Sequence, residues 1–167
     1  MMSTDWSTIQ VTAYSLARAY MDISEIKGDK DHPLIVWWLS LCKMGMEQPD
    51  ETPWCSAFVN GVCWLLRDWG IPRTDSARAR SWLKVGKPVT YLKDAEIGWD
   101  VVVLKRGSGP QPGPEVIAAP GHVGFFAGFD AQGRVRLLGG NQSNAVNIRS
   151  FPINDVLGVR RLRGSVS

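Results

Sequence analysis

Three residues of the chain have side chains that could hydrolyse an amide together: Cys55, His122 and Asn141, in that order along the sequence. A cysteine thiolate can attack a carbonyl carbon, and an imidazole can take the thiol proton and later donate a proton to the leaving amine. A side-chain amide can hold the imidazole in one orientation, as the third member of a catalytic triad does. The residues therefore indicate nucleophilic catalysis, provided that the fold brings them together.

The segment around Cys55 predicts a helix that begins just before the cysteine. Thr52 suits the N-cap, Pro53 suits the first helical position, and Gly70 supplies a stop. Cys55 then lies in the first turn, where unpaired backbone N–H groups and the helix dipole favour the thiolate. The alternative is that Cys55 is an inert core residue, because free cysteines are often buried. The apolar stripe that defines the helix comprises Phe58, Val62, Leu65, Leu66 and Trp69.

The segment from Gly121 to Leu138 predicts a β-hairpin, because two apolar runs flank the polar turn 130–133. If Phe129 opposes Arg134, equal steps back along both strands place His122 opposite Asn141. Directly opposed residues share a face, with Cβ atoms about 5 Å apart. The sequence therefore predicts that Asn141 orients His122.

This register has alternatives. Glycines 139 and 140 favour a bulge, and a slip of one residue would turn Asn141 to the other face. Taken singly, a strand histidine is more often structural than catalytic, and Asn141 suits a turn. The combination of a cysteine at a helix start, a strand histidine and an asparagine is nevertheless typical of papain-like catalysis.

Other elements complete an α+β pattern. We expect a first helix from Trp6 to Tyr20, and a second helix from Pro33 that packs on the first, with His32 as a cap or surface residue. The polar loop 45–51 leads into the cysteine helix, so Gln48, Asp50 or Glu51 could lie beside the site. Further expected elements are a short helix capped by Thr74 or Asp75 and running through Leu83, a buried strand at Val101–Leu104, a cleft-bordering loop at Arg106–Pro120 and a last strand at Val156–Leu162.

Length and composition favour one compact domain of 167 residues with a net charge of +3 and a pI near 8.9. The basic cluster Arg160, Arg161 and Arg163 would fit an acidic partner surface, but no nucleic-acid-binding motif accompanies it. Three cysteines provide no disulfide framework and suit a reducing cytosol. We find neither a signal-peptide pattern nor an apolar run long enough for a bilayer, and therefore expect a monomer that is made in the cytoplasm and does not bind membranes.

The chain resembles the papain-like peptidoglycan hydrolases of the CHAP (cysteine, histidine-dependent amidohydrolase/peptidase) and NlpC-type superfamily, especially small phage or prophage members. The matching pieces are Thr52–Asn60, Gly121–Phe125 and Leu138–Gln142, within a region that spans about residues 25–161. NlpC-type members usually have aspartate where this chain has Trp54, and often histidine as the third residue, so the CHAP members are the better match. The Gly-Asp strand entry of the family is interrupted here by Trp99.

The resemblance implies an α+β papain-like fold, with N-terminal helices packed on a small antiparallel sheet. It implies one catalytic domain over residues 1–167, with an N-terminal helix in 1–24 and a hydrolase core in 25–161, and no cofactor. It also implies that Cys55 is the nucleophile, His122 the base and acid, and Asn141 the orienting residue, acting on peptidoglycan after delivery to the wall. The bond cut, whether an N-acetylmuramoyl-L-alanine amide or a peptide bond, is left open.

Three other functions stay open at this point. A zinc amidase could use His32, His122 and a cysteine, although their spacing is not typical of a metal site. The chain has eight tryptophans. A wall-binding or structural phage module could use those that are exposed to bind glycan. Related folds also deamidate proteins or transfer acyl groups to them.

Overall fold

The structure, a computed structural model, describes residues 11–28, 31–43 and 53–163. An antiparallel sheet of six strands forms its centre, in the spatial order β1-β6-β2-β3-β4-β5. The strands are β1 (Lys87–Val89), β2 (Asp100–Lys105), β3 (Gly121–Phe129), β4 (Val135–Gly139), β5 (Asn147–Phe151) and β6 (Val156–Arg161), and the α-helices are α1 (Ala13–Arg18), α2 (Pro33–Ser40) and α3 (Cys55–Leu65). The expected α+β architecture with a small antiparallel sheet is confirmed.

The cysteine helix α3 begins two residues later than the sequence predicts. Trp54 is the N-cap, with non-helical backbone angles, and its carbonyl accepts the N–H of Phe58 at 2.9 Å. Pro53 therefore precedes the helix, and the predicted cap Thr52 lies outside the described residues. Trp69, expected on the buried stripe, is exposed because the chain tightens after α3 into a 3-10 turn and changes its angular spacing.

Helix α2 packs on α3 through Trp38. The Trp38 ring stacks on Trp54 at 5.8 Å and meets Phe58 edge-on at 5.0 Å. Gly61 makes this approach possible, because a Cβ there would lie 2.2 Å from the Trp38 ring. Helix α2 and the first helix share one buried cluster, as expected, and Tyr20, just beyond α1, meets the Trp38 ring edge-on at 5.4 Å.

The starts of α1 and α2 show ordinary side-chain caps. Thr12 forms a reciprocal capping box with Ser15, so the first helix begins at Ala13. The earlier part of the helix predicted from Trp6 lies outside the described residues. His32 caps α2, and its Nδ1 accepts the N–H of Leu34 at 3.2 Å, which agrees with the capping role expected from Pro33.

The two faces of the sheet bury different clusters, as alternation along β2 requires. Val101 and Val103 join the helices in the larger cluster, whereas Val102 and Leu104 lie in a smaller cluster with Val159. No helix of the described residues is long and apolar enough to cross a membrane.

The β3–β4 hairpin forms with a different turn register. Phe129 pairs with Val135 and not with Arg134, but an irregularity around Gly128, whose φ is +92°, restores the expected pairing of Phe125 with Leu138. The turn is closed by the Asp130 N–H, which donates to the Arg134 carbonyl at 2.9 Å. The extra residue in the turn is thus compensated by a bulge before the chain reaches His122.

Two other sequence expectations change. The short helix is a 3-10 segment at Ala79–Lys84 that begins after Arg78, because Asp75 adopts a left-handed conformation and Thr74 caps a turn. The C-terminal arginines are engaged within the fold. Arg161 makes a bidentate ion pair with buried Asp100 at 2.8 Å, and Arg160 donates to backbone carbonyls.

Candidate active site

Cys55 and His122 come together where the start of α3 meets the start of β3. Burial would raise the pKa of the Cys55 thiol, but a hydrogen bond and the charge of His122, with the N–H groups of Val123 and Ser56, outweigh it and lower that pKa. Burial would lower the pKa of His122, but its contact with Cys55 raises it. These opposite shifts favour a thiolate–imidazolium pair.

The second ring nitrogen of His122 is held by Gln142. His122 Nε2 lies 2.9 Å from Gln142 Oε1, and both side chains are buried. The Gln142 amide nitrogen donates to the Asn147 carbonyl at 2.7 Å and to its side-chain oxygen at 3.0 Å. Because these acceptors require the NH₂ group of Gln142, its oxygen must face the imidazole.

This arrangement selects one tautomer of the neutral imidazole. An amide oxygen only accepts hydrogen bonds, so His122 Nε2 carries the proton. The other nitrogen, Nδ1, is then free to accept the proton of the Cys55 thiol. Asn147 completes the arrangement by donating from its own amide to the Gln142 carbonyl at 2.7 Å. The two amides therefore hold each other and the imidazole.

The structure does not place Asn141 opposite His122 as a strand partner. Strand β4 ends at Gly139, and Asn141 adopts φ +55°, so the chain has left the strand. No hydrogen bond joins Asn141 to Cys55 or His122 within the described part of the chain. Asn141 instead lines the cleft, and the next residue, Gln142, turns inward to the imidazole. The predicted opposition of Asn141 and His122 is thus corrected.

Two glycines allow this loop to approach the site closely. A Cβ at Gly139 would lie 2.6 Å from Gln142 Oε1, and one at Gly140 would lie 2.6 Å from the Trp54 ring and 2.7 Å from Phe58. The glycine pair therefore brings the β4–β5 loop against both His122 and the start of α3.

A buried polar network fixes the other side of the cysteine helix. The Ser56 hydroxyl donates to the Ser76 carbonyl at 2.6 Å and accepts from the Trp82 indole at 2.9 Å. Asn60 accepts the N–H groups of Thr74 at 3.2 Å and Asp75 at 3.0 Å. Because these groups are satisfied by one another, segment 74–82 is held firmly beside Cys55.

A cleft runs past these residues. One part, of about 740 Å³, is lined by Cys55, Arg78 and Arg106. A second part is lined by His122, Asn141 and again Arg106. A third, beyond Pro53, includes Glu25. Arg106 lines all three parts, while Cys55 lies at the wall of the first and His122 at the wall of the second.

Three residues at the site were not predicted from the sequence: Gln142, Asn147 and Arg106. Gln142 belongs to the Leu138–Gln142 piece that resembles the family, but the predicted strand pairing ended one residue earlier, at Asn141. Asn147 opens β5, which had no strong apolar signal. Gln48, Asp50 and Glu51 lie outside the described residues. Within residues 11–28, 31–43 and 53–163, no group of three His, Cys, Asp or Glu side chains could hold a metal ion.

The fold and the position of the cysteine at a helix start define a papain-like, NlpC-type architecture. Among solved structures the chain is similar to NlpC1 from Trichomonas vaginalis, with a TM-score of 0.52 and 16% sequence identity. The match covers 96% of this chain and 48% of that one, so the chain spans about half the length of its structural neighbour. No family model and no curated protein matches the sequence. At this low sequence identity, the similarity to NlpC1 shows a shared fold alone.

Proposed function

We propose that the protein is a cysteine hydrolase that cleaves an amide bond of bacterial peptidoglycan. The observation that carries the proposal is the chain of hydrogen bonds from Cys55 through His122 to Gln142, with the pKa of the thiol lowered and the pKa of the imidazole raised. A buried thiol has no such pKa unless a partner stabilises its charged form. The NlpC-type fold is consistent with this chemistry.

The reaction follows from the tautomer. His122 Nδ1 takes the thiol proton, and the Cys55 sulfur attacks the amide carbonyl to form a tetrahedral oxyanion. The C–N bond breaks as the imidazolium donates its proton to the leaving amine, which leaves an acyl enzyme. Water, deprotonated by the same imidazole, then attacks the acyl carbon and releases the acid. Gln142 keeps the ring in place throughout, so Asn141 is replaced as the orienting residue in this proposal.

The start of α3 can stabilise the oxyanion. The first helical backbone bond within the described residues runs from Phe58 to the Trp54 carbonyl, and Trp54 provides no side-chain cap. The N–H groups at Cys55 and the following positions therefore precede the helical ladder, at the positive end of the helix dipole. Asn141, at the cleft wall, is positioned to contact the bound substrate.

The substrate class comes from the resemblance of three sequence pieces to CHAP and NlpC-type wall hydrolases. We propose that the chain acts as one catalytic domain over residues 1–167, in the manner of a phage endolysin, as a monomer. It would be made in the cytoplasm and reach the wall through a delivery route supplied by other proteins. Either an N-acetylmuramoyl-L-alanine amide or a stem-peptide bond suits the mechanism.

A digest of purified peptidoglycan tests the proposal. Wild type and Cys55→Ala are incubated with walls from several bacteria, and released fragments and new amino termini are identified by mass spectrometry. We expect cleavage by wild type alone, with Cys63→Ala as an active control. Stem peptides freed from muramic acid would identify an amidase, and cut peptides still joined to glycan an endopeptidase.

Equal cleavage by Cys55→Ala would refute the cysteine mechanism. If no wall is cut but Cys55 is reactive, a protein substrate, as for a deamidase or acyltransferase, becomes the better account. If Cys55 is also unreactive, a wall-binding module is favoured.

A further inference from the structure

The part of the cleft that contains the nucleophile is basic. We call it the basic pocket and define it by Cys55, Arg78, Arg106 and Lys43, which line it with small and apolar residues between them. Its described lining contains no acidic side chain. Lys43 is already paired with Asp75 at 2.9 Å, which leaves the two arginines as the cations available to a ligand.

Arg106 differs from Arg161 and Arg80, whose side chains are engaged within the fold. Arg161 pairs with Asp100, and buried Arg80 donates to the carbonyls of the loop 112–120. Arg106 is exposed and makes no ion pair or hydrogen bond with the described residues. Within residues 11–28, 31–43 and 53–163, no contact accounts for a cation at this position.

The strand register fixes where Arg106 lies. Leu104 pairs directly with His122, and Lys105 pairs with Gly121, so Arg106 follows at the mouth of the cleft. Burial and, after it, the charge of Arg106 oppose protonation of His122, although the contacts with Cys55 and Gln142 outweigh them and raise the pKa of the imidazole. A cation at this position therefore disfavours the imidazolium. Binding an anion would neutralise this unfavourable charge.

We propose that Arg106, assisted by Arg78, binds a substrate carboxylate that lies close to the scissile amide. The inference rests on the proposed function and narrows it to amides of acidic peptides. A guanidinium presents several N–H donors in a fixed fork that matches a carboxylate. A carboxylate held there brings the adjacent carbonyl carbon to the Cys55 sulfur and raises the proton affinity of His122.

Two alkylating reagents separate this inference from the proposed function. Iodoacetate carries a carboxylate next to its reactive carbon, whereas iodoacetamide carries a neutral amide of the same size. In both reactions the Cys55 sulfur forms the C–S bond as the C–I bond breaks, and iodide leaves with the bonding electron pair. The rate for each reagent is followed by mass spectrometry of the Cys55 peptide, at equal pH and low salt.

We expect Arg106→Gln to lower the ratio of the iodoacetate rate to the iodoacetamide rate by about threefold to tenfold, as removal of one nearby charge predicts. Arg78→Gln should lower it less. Lys87→Gln is the control. It removes one exposed charge from the edge strand β1, which is separated from the His122 strand β3 by β6 and β2, and it should leave the ratio unchanged. Added salt should lower the wild-type ratio toward that of Arg106→Gln.

An unchanged ratio in Arg106→Gln, with rapid iodoacetamide labelling, would overturn carboxylate binding and leave the cysteine mechanism standing. Slow labelling by iodoacetamide in the wild type, no faster than in the denatured chain, would instead overturn the proposed function. A second readout uses two peptides that differ only in a carboxylate or carboxamide beside the cleaved bond. Arg106→Gln should raise KM for the acidic peptide alone, and an equal rise for both would contradict the inference.

Discussion

Cys55 and Cys63 lie on the same helix, and both are almost fully buried, yet the two thiols differ in acidity. Burial raises the pKa of Cys63, and Arg73 opposes that rise only weakly. At Cys55 burial acts in the same direction, but the His122 contact and the N–H groups of Ser56 and Val123 reverse it, and the pKa falls. Cys42, which follows helix α2 in the sequence, has its pKa raised by burial to about 11. Burial alone therefore makes a thiol inert, and hydrogen-bonding partners make it a nucleophile.

The largest expected effect comes from His122→Ala, which should make Cys55 resemble Cys63. Loss of the general acid and base should lower kcat/KM by about a thousandfold. Without the imidazole, burial dominates, and the pKa of Cys55 should move from below the ordinary thiol value to above it. The rate of iodoacetamide labelling, measured against pH, reports this change.

The sign of that pH shift is specific. In the wild type the thiolate forms at lower pH than in a free cysteine, so labelling should persist to lower pH than labelling of a free cysteine does. In His122→Ala the rise in rate should be displaced to higher pH. Identical pH midpoints in the two proteins would show that His122 does not acidify Cys55.

A smaller effect is expected from the amide that orients the imidazole. Gln142→Ala removes a buried hydrogen bond to a charged group, worth about 1.5–3 kcal/mol, and should lower kcat by about tenfold to a hundredfold. It should also lower the pKa of His122, since Gln142 supports the charged ring. In Gln142→Ala the fall in kcat at high pH, where the imidazolium loses its proton, should therefore begin at a lower pH than in the wild type.

Asn141→Ala is the matched variant for Gln142→Ala. It removes an amide of the same loop that lines the cleft without a hydrogen bond to His122 among the described residues. We expect a change in KM with little change in kcat or in its pH profile. The reverse outcome, with Asn141→Ala the more damaging to kcat, would restore the residue that the sequence predicted.

The smallest effect should come from the inert thiol itself. Cys63→Ala removes one buried sulfur and should lower the free energy of unfolding by about 1 kcal/mol, without any change in activity or in Cys55 labelling. Denaturant unfolding and the wall digest measure the two quantities. A loss of activity at full stability would mean that Cys63 takes part in the chemistry.

These contrasts also show what could be predicted from the sequence. The helix that carries Cys55, the hairpin that carries His122 and the last strand follow from local apolar periodicity, and each is present. The third site residue depends on a turn one residue longer, a compensating bulge near Gly128 and the left-handed conformation of Asn141. Such details depend on packing between elements distant in sequence, and strand counting does not include them.

Arg106 and Asn147 illustrate a second limit. Arg106 follows a strand as one more surface cation, and its place in the cleft arises from pairing of β2 with β3. Asn147 matters because its amide faces that of Gln142 across a turn. Neither role leaves a local pattern, because both are defined by three-dimensional neighbours.

The contact of Gly140 with Trp54 and Phe58 has an evolutionary consequence. The three positions share one fixed volume, so none of them can change freely while the other two stay the same. A methyl group at position 140 would lie 2.7 Å from the Cβ of Phe58 as well as 2.6 Å from the Trp54 ring, so a smaller ring at position 54 would not by itself make room for it. Homologous chains should therefore keep glycine at position 140, and its exchange should be selected against even though none of the three residues takes part in the reaction.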